Sequence, residues 1–83
     1  MVKNLYSIFD KMASMYSEPK PAPTDGVFTR MVQDMIREGN NQVANHPADF
    51  SIVCAGEWNE LNGNISSLDT PRVVLQCDSL TGE

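Results

Sequence analysis

One stretch of this 83-residue chain constrains the rest: Thr24 to Gly39 reads as an amphipathic helix. Val27, Phe28, Met31, Val32, Met35 and Ile36 recur at the spacing of one helical face, and Thr29, Arg30, Gln33, Asp34, Arg37 and Glu38 take the other. Thr24 or Asp25 can cap its start, because a short side-chain oxygen accepts from the unpartnered N–H groups of a first turn. Asp25 also suits the positive end of the helix dipole, Arg37 suits the negative end, and Gly39 supplies the stop. A helix with one apolar stripe must bury it against another layer. Phe28, Met31, Val32, Met35, Ile36, Phe50 and Ile52 are the expected core.

The segments around the helix read as strands. Val2 to Tyr16 is expected to form a hairpin, with Asp10-Lys11-Met12-Ala13 as its turn and Met15-Tyr16-Ser17 returning beside the first strand. Pro19, Pro21 and Pro23 follow at every second position. Proline lacks an N–H and fixes φ, so this stretch is expected to be an extended, polyproline-like connector that donates nothing to a central sheet. After a polar loop containing His46 and Pro47, Phe50 to Trp58 alternates as a central strand with apolar residues on both faces. Gly56 marks a bulge or a close approach of another backbone. Asn62-Gly63 signals a tight turn. Ile65 to Leu68 would return as a short strand, Asp69-Thr70-Pro71 would break it, and Arg72 to Cys77 would form a further strand. The tail from Asp78 to Glu83 is polar and expected to fray. The resulting expectation is a single α+β domain over residues 1–83, a ββαββ two-layer sandwich of antiparallel sheet and one helix.

Composition narrows the chemistry. Six Lys and Arg stand against eleven Asp and Glu, a net charge of −5, and apolar residues make up 41% of the chain. No apolar run is long enough to span a bilayer, and the first residues lack a signal-peptide core, so a cytosolic protein is expected. Cys54 and Cys77 are 23 positions apart with no paired spacing. With a single histidine, His46, they are expected to be buried thiols, not metal ligands or a disulfide. Neither a phosphate-binding glycine loop nor a hydrolase or metalloprotease motif is present, so the chain is expected to be neither an enzyme nor a cofactor carrier.

Binding remains. Lys3, Lys11 and Lys20 lie in the same N-terminal region as Tyr6 and Tyr16. Cations interleaved with aromatic rings on a sheet are what single-stranded nucleic acid stacks upon. These five residues are the candidate nucleic-acid contacts, although the acidic net charge opposes long-range attraction to phosphates. The exposed helix positions Arg30, Asp34 and Arg37 are the candidate partner-binding surface. A small core and an unpaired strand edge also favour a homodimer, with Arg72 to Cys77 expected to add to a partner's sheet because Pro71 would detach it from the preceding hairpin.

Several motifs occur in a suggestive order: Tyr6-Ser7-Ile8-Phe9-Asp10-Lys11, then Asp25 opening a helix, then His46-Pro47-Ala48-Asp49-Phe50, then Gly56-Glu57-Trp58 followed by Gly63. Together they resemble the small nonstructural protein of gokushoviruses, single-stranded DNA phages of the Microviridae. The likeness spans about Tyr6 to Leu68, and the sequence departs from it in carrying Trp58 and Asn59 where Phe-Asp is common. The resemblance implies a non-enzymatic accessory protein of the infected host's cytoplasm, likened to the microvirus protein that switches duplex replication to single-strand synthesis and packaging. Its implied partners are single-stranded DNA, the viral replication initiator or the procapsid. The alternative reading is an acidic interaction module that engages a host factor without touching DNA.

Overall fold

The computed structural model describes residues 2–81. Strand β1 (Val2–Asp10) turns through residues 11–14 into the two-residue β2 (Met15–Tyr16), and β3 (Lys20–Ala22) leads to helix α1 (Asp25–Glu38). A short helix α2 (Gln42–Asn45) and a 3₁₀ turn (Pro47–Asp49) deliver the chain to β4 (Phe50–Asn59). Strand β5 (Ile65–Gln76) and a second 3₁₀ turn (Cys77–Leu80) complete it. The strands form one antiparallel sheet in the order β2-β1-β4-β5, with β3 also paired to β1. The architecture is the expected α+β one, with β4 central.

Local chemistry explains the helix. Thr24 is the cap, its Oγ1 accepting from the Val27 N–H at 3.2 Å, and Gly39 ends the helix at φ 75. Asp25, the other candidate cap, is left free to point elsewhere. Phe28 and Val32 are buried, and Val27, Met35 and Ile36 pack against the same cluster. Met31 was expected in the core but is 48% exposed, because it lines an open cleft with Phe28, Val32 and Met35 that no other element fills.

Register shows which face is covered. Tyr6 pairs with Cys54 and Ile8 with Ile52, and these four belong with Phe28, Val32, Val43 and Cys77 to one core cluster. Each helical segment sends its buried residues into that cluster, so the helices lie on one side of the sheet. Leu5, Ser7 and Phe9 alternate to the other side, opposite Gly56, Val53 and Ser51. There Val53 is buried yet stands outside the core cluster. The buried hydroxyls on this side are satisfied: Ser7 Oγ donates to the Ser17 carbonyl at 2.7 Å, and Ser51 Oγ donates to Gln76 Oε1 at 2.7 Å.

Four expectations are corrected. The proline stretch is not a mere connector, since Lys20–Ala22 pairs with Asn4–Tyr6 as a short edge strand. An edge strand tolerates a proline whose missing N–H would face outward. Pro71 does not break the last strand, and β5 runs continuously from Ile65 to Gln76. The chain accommodates Pro71 in an excursion: between the pairs Cys54–Arg72 and Gly56–Ser67, residues 68–71 of β5 face a single residue, Ala55, of β4. Consequently Arg72–Gln76 is not detached for a partner's sheet but pairs in its own chain, with Gln76 opposite Ser51 and Leu75 opposite Ile52. The tail expected to fray from Asp78 instead turns through Leu80, which packs on the core beside the fully buried Cys77. Residues 82 and 83 of that expectation lie outside the described residues.

Gly56 carries both of its expected roles. Register shifts flank it on both neighbouring strands, and a side-chain carbon there would stand 2.2 Å from the Ser66 carbonyl oxygen. Gly63 at φ 76 closes the β4–β5 turn, as Asn-Gly signals. Beyond Gly56 the sheet continues as an arm of three strands, Val2–Asn4, Glu57–Asn59 and Ile65–Ser66, into the exposed β4–β5 turn, and the molecule measures 40 × 23 × 18 Å.

Candidate functional site

The five candidate nucleic-acid residues do not share one surface. Tyr6 is fully buried, its ring stacked on Phe28 with centroids 4.9 Å apart, so no base can reach it. Lys20 pairs with Tyr6 in register and lines a cleft with Phe28 and Met31 on the helix side. The Lys11 ammonium donates to the Ala48 carbonyl at 3.1 Å, beside the β1–β2 turn. Lys3 and Tyr16 are on the open side of the sheet. Tyr16 is half-exposed and in tilted contact with its register partner Phe9, ring centroids 4.6 Å apart. Lys3 pairs in register with Trp58 and forms an ion pair with Glu60 at 3.0 Å.

The open face therefore carries aromatic residues that the sequence reading missed. Phe9 shares the parity of Leu5 and Ser7, which was visible in the alternation of β1, whereas alternation along β4 groups Trp58 with Phe50, Ile52 and Cys54, and only the register shift at Ala55 carries it to the open face opposite Lys3. What the alternation could not supply was which parity the helix covers. Phe9 with Tyr16 forms one end of this face, and Trp58 beside Lys3 forms the other, about 20 Å away along β1 at ordinary strand rise.

Tyr6 and Asp25, each assigned another role by sequence, belong instead to a polar network. The Tyr6 hydroxyl donates to Asp25 Oδ1 at 2.5 Å and accepts from the Asn4 amide at 2.8 Å. Arg72 clamps the same carboxylate with two hydrogen bonds, at 3.0 and 3.1 Å. The fork of a guanidinium matches a carboxylate in this two-point manner. Arg72 and Tyr6 hold the Asp25 carboxyl below its ordinary value, against the opposing effect of burial. Burial, helped by the Asp25 charge, pushes the Tyr6 phenol up to about 12. The network ties the first turn of α1 to β1 and β5. No substrate-sized opening faces it among the described clefts.

The helix positions Arg30, Asp34 and Arg37 are exposed, and the last two pair with each other at 3.2 Å. Cys54 and Cys77 are free and buried, and burial pushes the Cys77 thiol up to about 11. Among the described residues no group of three His, Cys, Asp or Glu side chains converges as a metal site, and no helix is long and apolar enough to cross a membrane.

On the helix side, three clefts adjoin. The largest of the three, about 340 Å³, is lined by Ile8, Asp10, Met15, Tyr16, Val43 and Phe50 among others, so Tyr16 at the sheet edge borders this cleft as well as the open face. It shares Ile8 with a cleft lined by Phe28, Met31, Val32 and Met35. It shares Asp10 and Phe50 with a more polar one that holds His46 and Asp49. Ion pairs consume three of the cations, Lys3, Arg37 and Arg72. Asp10, Glu18, Glu38, Asp49, Glu57, Asp69 and Asp78 then stand outside ion pairs among the described residues, against Lys11, Lys20 and Arg30.

Comparisons with curated proteins and with solved structures find no match. The model of one protein family, described as Phage ORF5 protein, matches residues 3–80, which takes in every strand, both helices and the open and covered faces alike. By that match the chain is a bacteriophage protein and belongs to the Phage ORF5 protein family.

Proposed function

We propose that this phage protein is a non-enzymatic accessory factor of viral genome replication or packaging in the host cytoplasm, and that it holds single-stranded DNA weakly on the open face of its sheet. The observation that carries the reading is the Phe9–Tyr16 pair on the side away from the helix, with Trp58 and Lys3 farther along the same face. Bases of any identity stack on such rings, and each stacked base contributes about 1–3 kcal/mol. The family match supports a phage accessory protein, and the motifs that resemble the gokushovirus small nonstructural protein are the reason to link it to a single-stranded DNA genome. Tyr16, Phe9, Trp58 and Lys3 replace the first set of contacts, and Tyr6 is withdrawn from it.

The net charge of −5 makes this a short-range contact without electrostatic steering. Lys3 is shared with Glu60, so few phosphates are neutralised, and the log–log salt slope should be shallow, near about −1. Fluorescence anisotropy with a labelled oligothymidine at low and moderate salt tests this. Weak binding that Tyr16→Ala reduces about tenfold is expected. Absence of binding at low salt, or a preference for duplex, overturns it.

A second reading, an interaction module for a replication initiator, procapsid or host protein, is favoured by a separate observation: the surplus of unpaired carboxylates beside exposed methionines. Met12 is 78% and Met15 65% exposed. Methionine adapts its shape to a partner's apolar surface.

A further inference from the structure

We infer that the trough on the helix side receives an apolar peptide segment of another protein, one whose basic end lies over Asp10 and Asp49. The inference deepens the interaction-module reading; it meets the DNA reading only at Tyr16, which contacts Phe9 on the open face and also lines the rim of the Met15–Val43–Phe50 cleft.

The trough is a row of three hollows divided by shared wall residues. Ile8 separates the Phe28–Met31–Met35 cleft from the Met15–Val43–Phe50 cleft, and Phe50 and Asp10 join the latter to the His46–Asp49 end. Its middle is apolar and its methionines remain exposed, Met15 at 65% and Met31 at 48%. An apolar groove of this kind is how helical or extended segments are recognised, by side chains spaced to reach successive hollows.

Charge decides the occupant and its direction. One end carries the carboxylates of Asp10 and Asp49, two acids against the single Lys11 ammonium held on the Ala48 carbonyl at 3.1 Å, and the other carries the Lys20 side chain. A segment with lysine or arginine at the first end and an acidic or neutral group at the second is matched along its whole length. A second copy of the chain is a poorer occupant, because each copy brings a charge of −5. The sheet edges are also blunted against self-addition. Pro19 and Pro23 flank the three-residue β3, which itself contains Pro21, while β5 carries two register shifts with Asp69, Pro71 and Arg72 along its edge.

The methionines supply the test. Protein labelled with ¹³C at methionine methyl groups is titrated with an amphipathic Leu–Lys peptide of about sixteen residues bearing lysines at one end, and with its counterpart bearing glutamates there. Met15, Met31 and Met35 should shift with the lysine-ended peptide, at dissociation constants below about 1 mM. Asp49→Lys, whose side chain makes no hydrogen bond in the fold, should weaken that peptide about tenfold and favour the glutamate-ended one. Met15→Glu, at an exposed position, should abolish the shifts while leaving the protein folded. No shifts at about 1 mM, or shifts with no charge preference, overturn the inference. So do methionine shifts that follow protein concentration alone, which would mean self-association, or shifts of Met31 and Met35, away from Tyr16, that follow an oligothymidine, which would place DNA here. Loss of oligothymidine binding in Trp58→Ala, far from the trough, with unchanged peptide shifts supports two separate surfaces.

Discussion

The two faces of the sheet are built from the same two central strands, yet they do different work. On the covered face Tyr6, Ile52, Phe50 and Cys54 meet Phe28 and Val32 of the helix, and Tyr6 and Ile52 lose all contact with water. On the open face Leu5, Phe9 and Trp58 stay partly exposed, and only small or central residues such as Ser7, Ser51 and Val53 are buried. Both faces contain aromatic rings. The difference teaches that an aromatic residue here is core or contact surface according to which side α1 lands on, not according to its type. Stability should be concentrated on one face and binding on the other.

The largest effect should come from the covered face. Phe28→Ala removes the ring that stacks on Tyr6 and leaves a cavity, at a cost of about 3–5 kcal/mol. Chemical denaturation checks it, and an unmoved midpoint would erase the distinction between the faces. Gly56→Ala should come next. Its added carbon meets backbone, which cannot rotate away, so a loss of about 1–3 kcal/mol is expected where the sheet passes from core to projecting arm.

Asp25→Ala sharpens the comparison through charge. The buried Tyr6 hydroxyl loses its acceptor and Arg72 its partner, for about 1–3 kcal/mol. The pH dependence has a definite sign. Because the folded-state value of Asp25 is depressed below 3.8, its stabilisation is complete above that value and lost as acid takes the pH through the folded one. Tyr6 behaves oppositely: raised from 10.0 to about 12, it contributes fully below pH 10.0 and loses that contribution as the pH rises toward 12. Thermal melts across pH should show Asp25→Ala flattening the acid limb, and Tyr6→Phe flattening the alkaline one. Tyr16→Ala should have the smallest effect on folding, about 0.5–1.5 kcal/mol from its contact with Phe9. A loss as large as that of Phe28→Ala would make the open face a second core.

Much of this architecture was legible in the order of residues. The helix from Asp25 to Glu38 follows from its 3.6-residue periodicity, its Thr24 cap and its Gly39 stop, all of which are local. The Asn62-Gly63 turn and the strain relieved at Gly56 follow from backbone sterics at single positions. The first hairpin was readable because Asp10 holds its turn locally, its carboxylate accepting from the Met12 and Ala13 N–H groups. Hydrogen bonds and steric limits that act within a few residues are determined by the sequence alone.

What depended on distant parts of the chain was decided only in the tertiary structure. Alternation along β1 assigned Tyr6 and Phe9 to opposite faces but could not say which face α1 would cover, so Tyr6 was open to being read as a stacking residue. Pro71 reads locally as a breaker, yet β4 across from it lets the strand continue by shifting register around Ala55. The proline stretch reads as a mere connector, yet β1 accepts Lys20–Ala22 along its free edge. Asp25 has the chemistry of a cap, yet Arg72, 47 positions later, claims its carboxylate. Sequence determines what each segment can form, because propensity and sterics are local. Which face is buried, which edge is paired and which charges meet depend on long-range packing, and those are the features that separate this protein's core from its candidate binding surfaces.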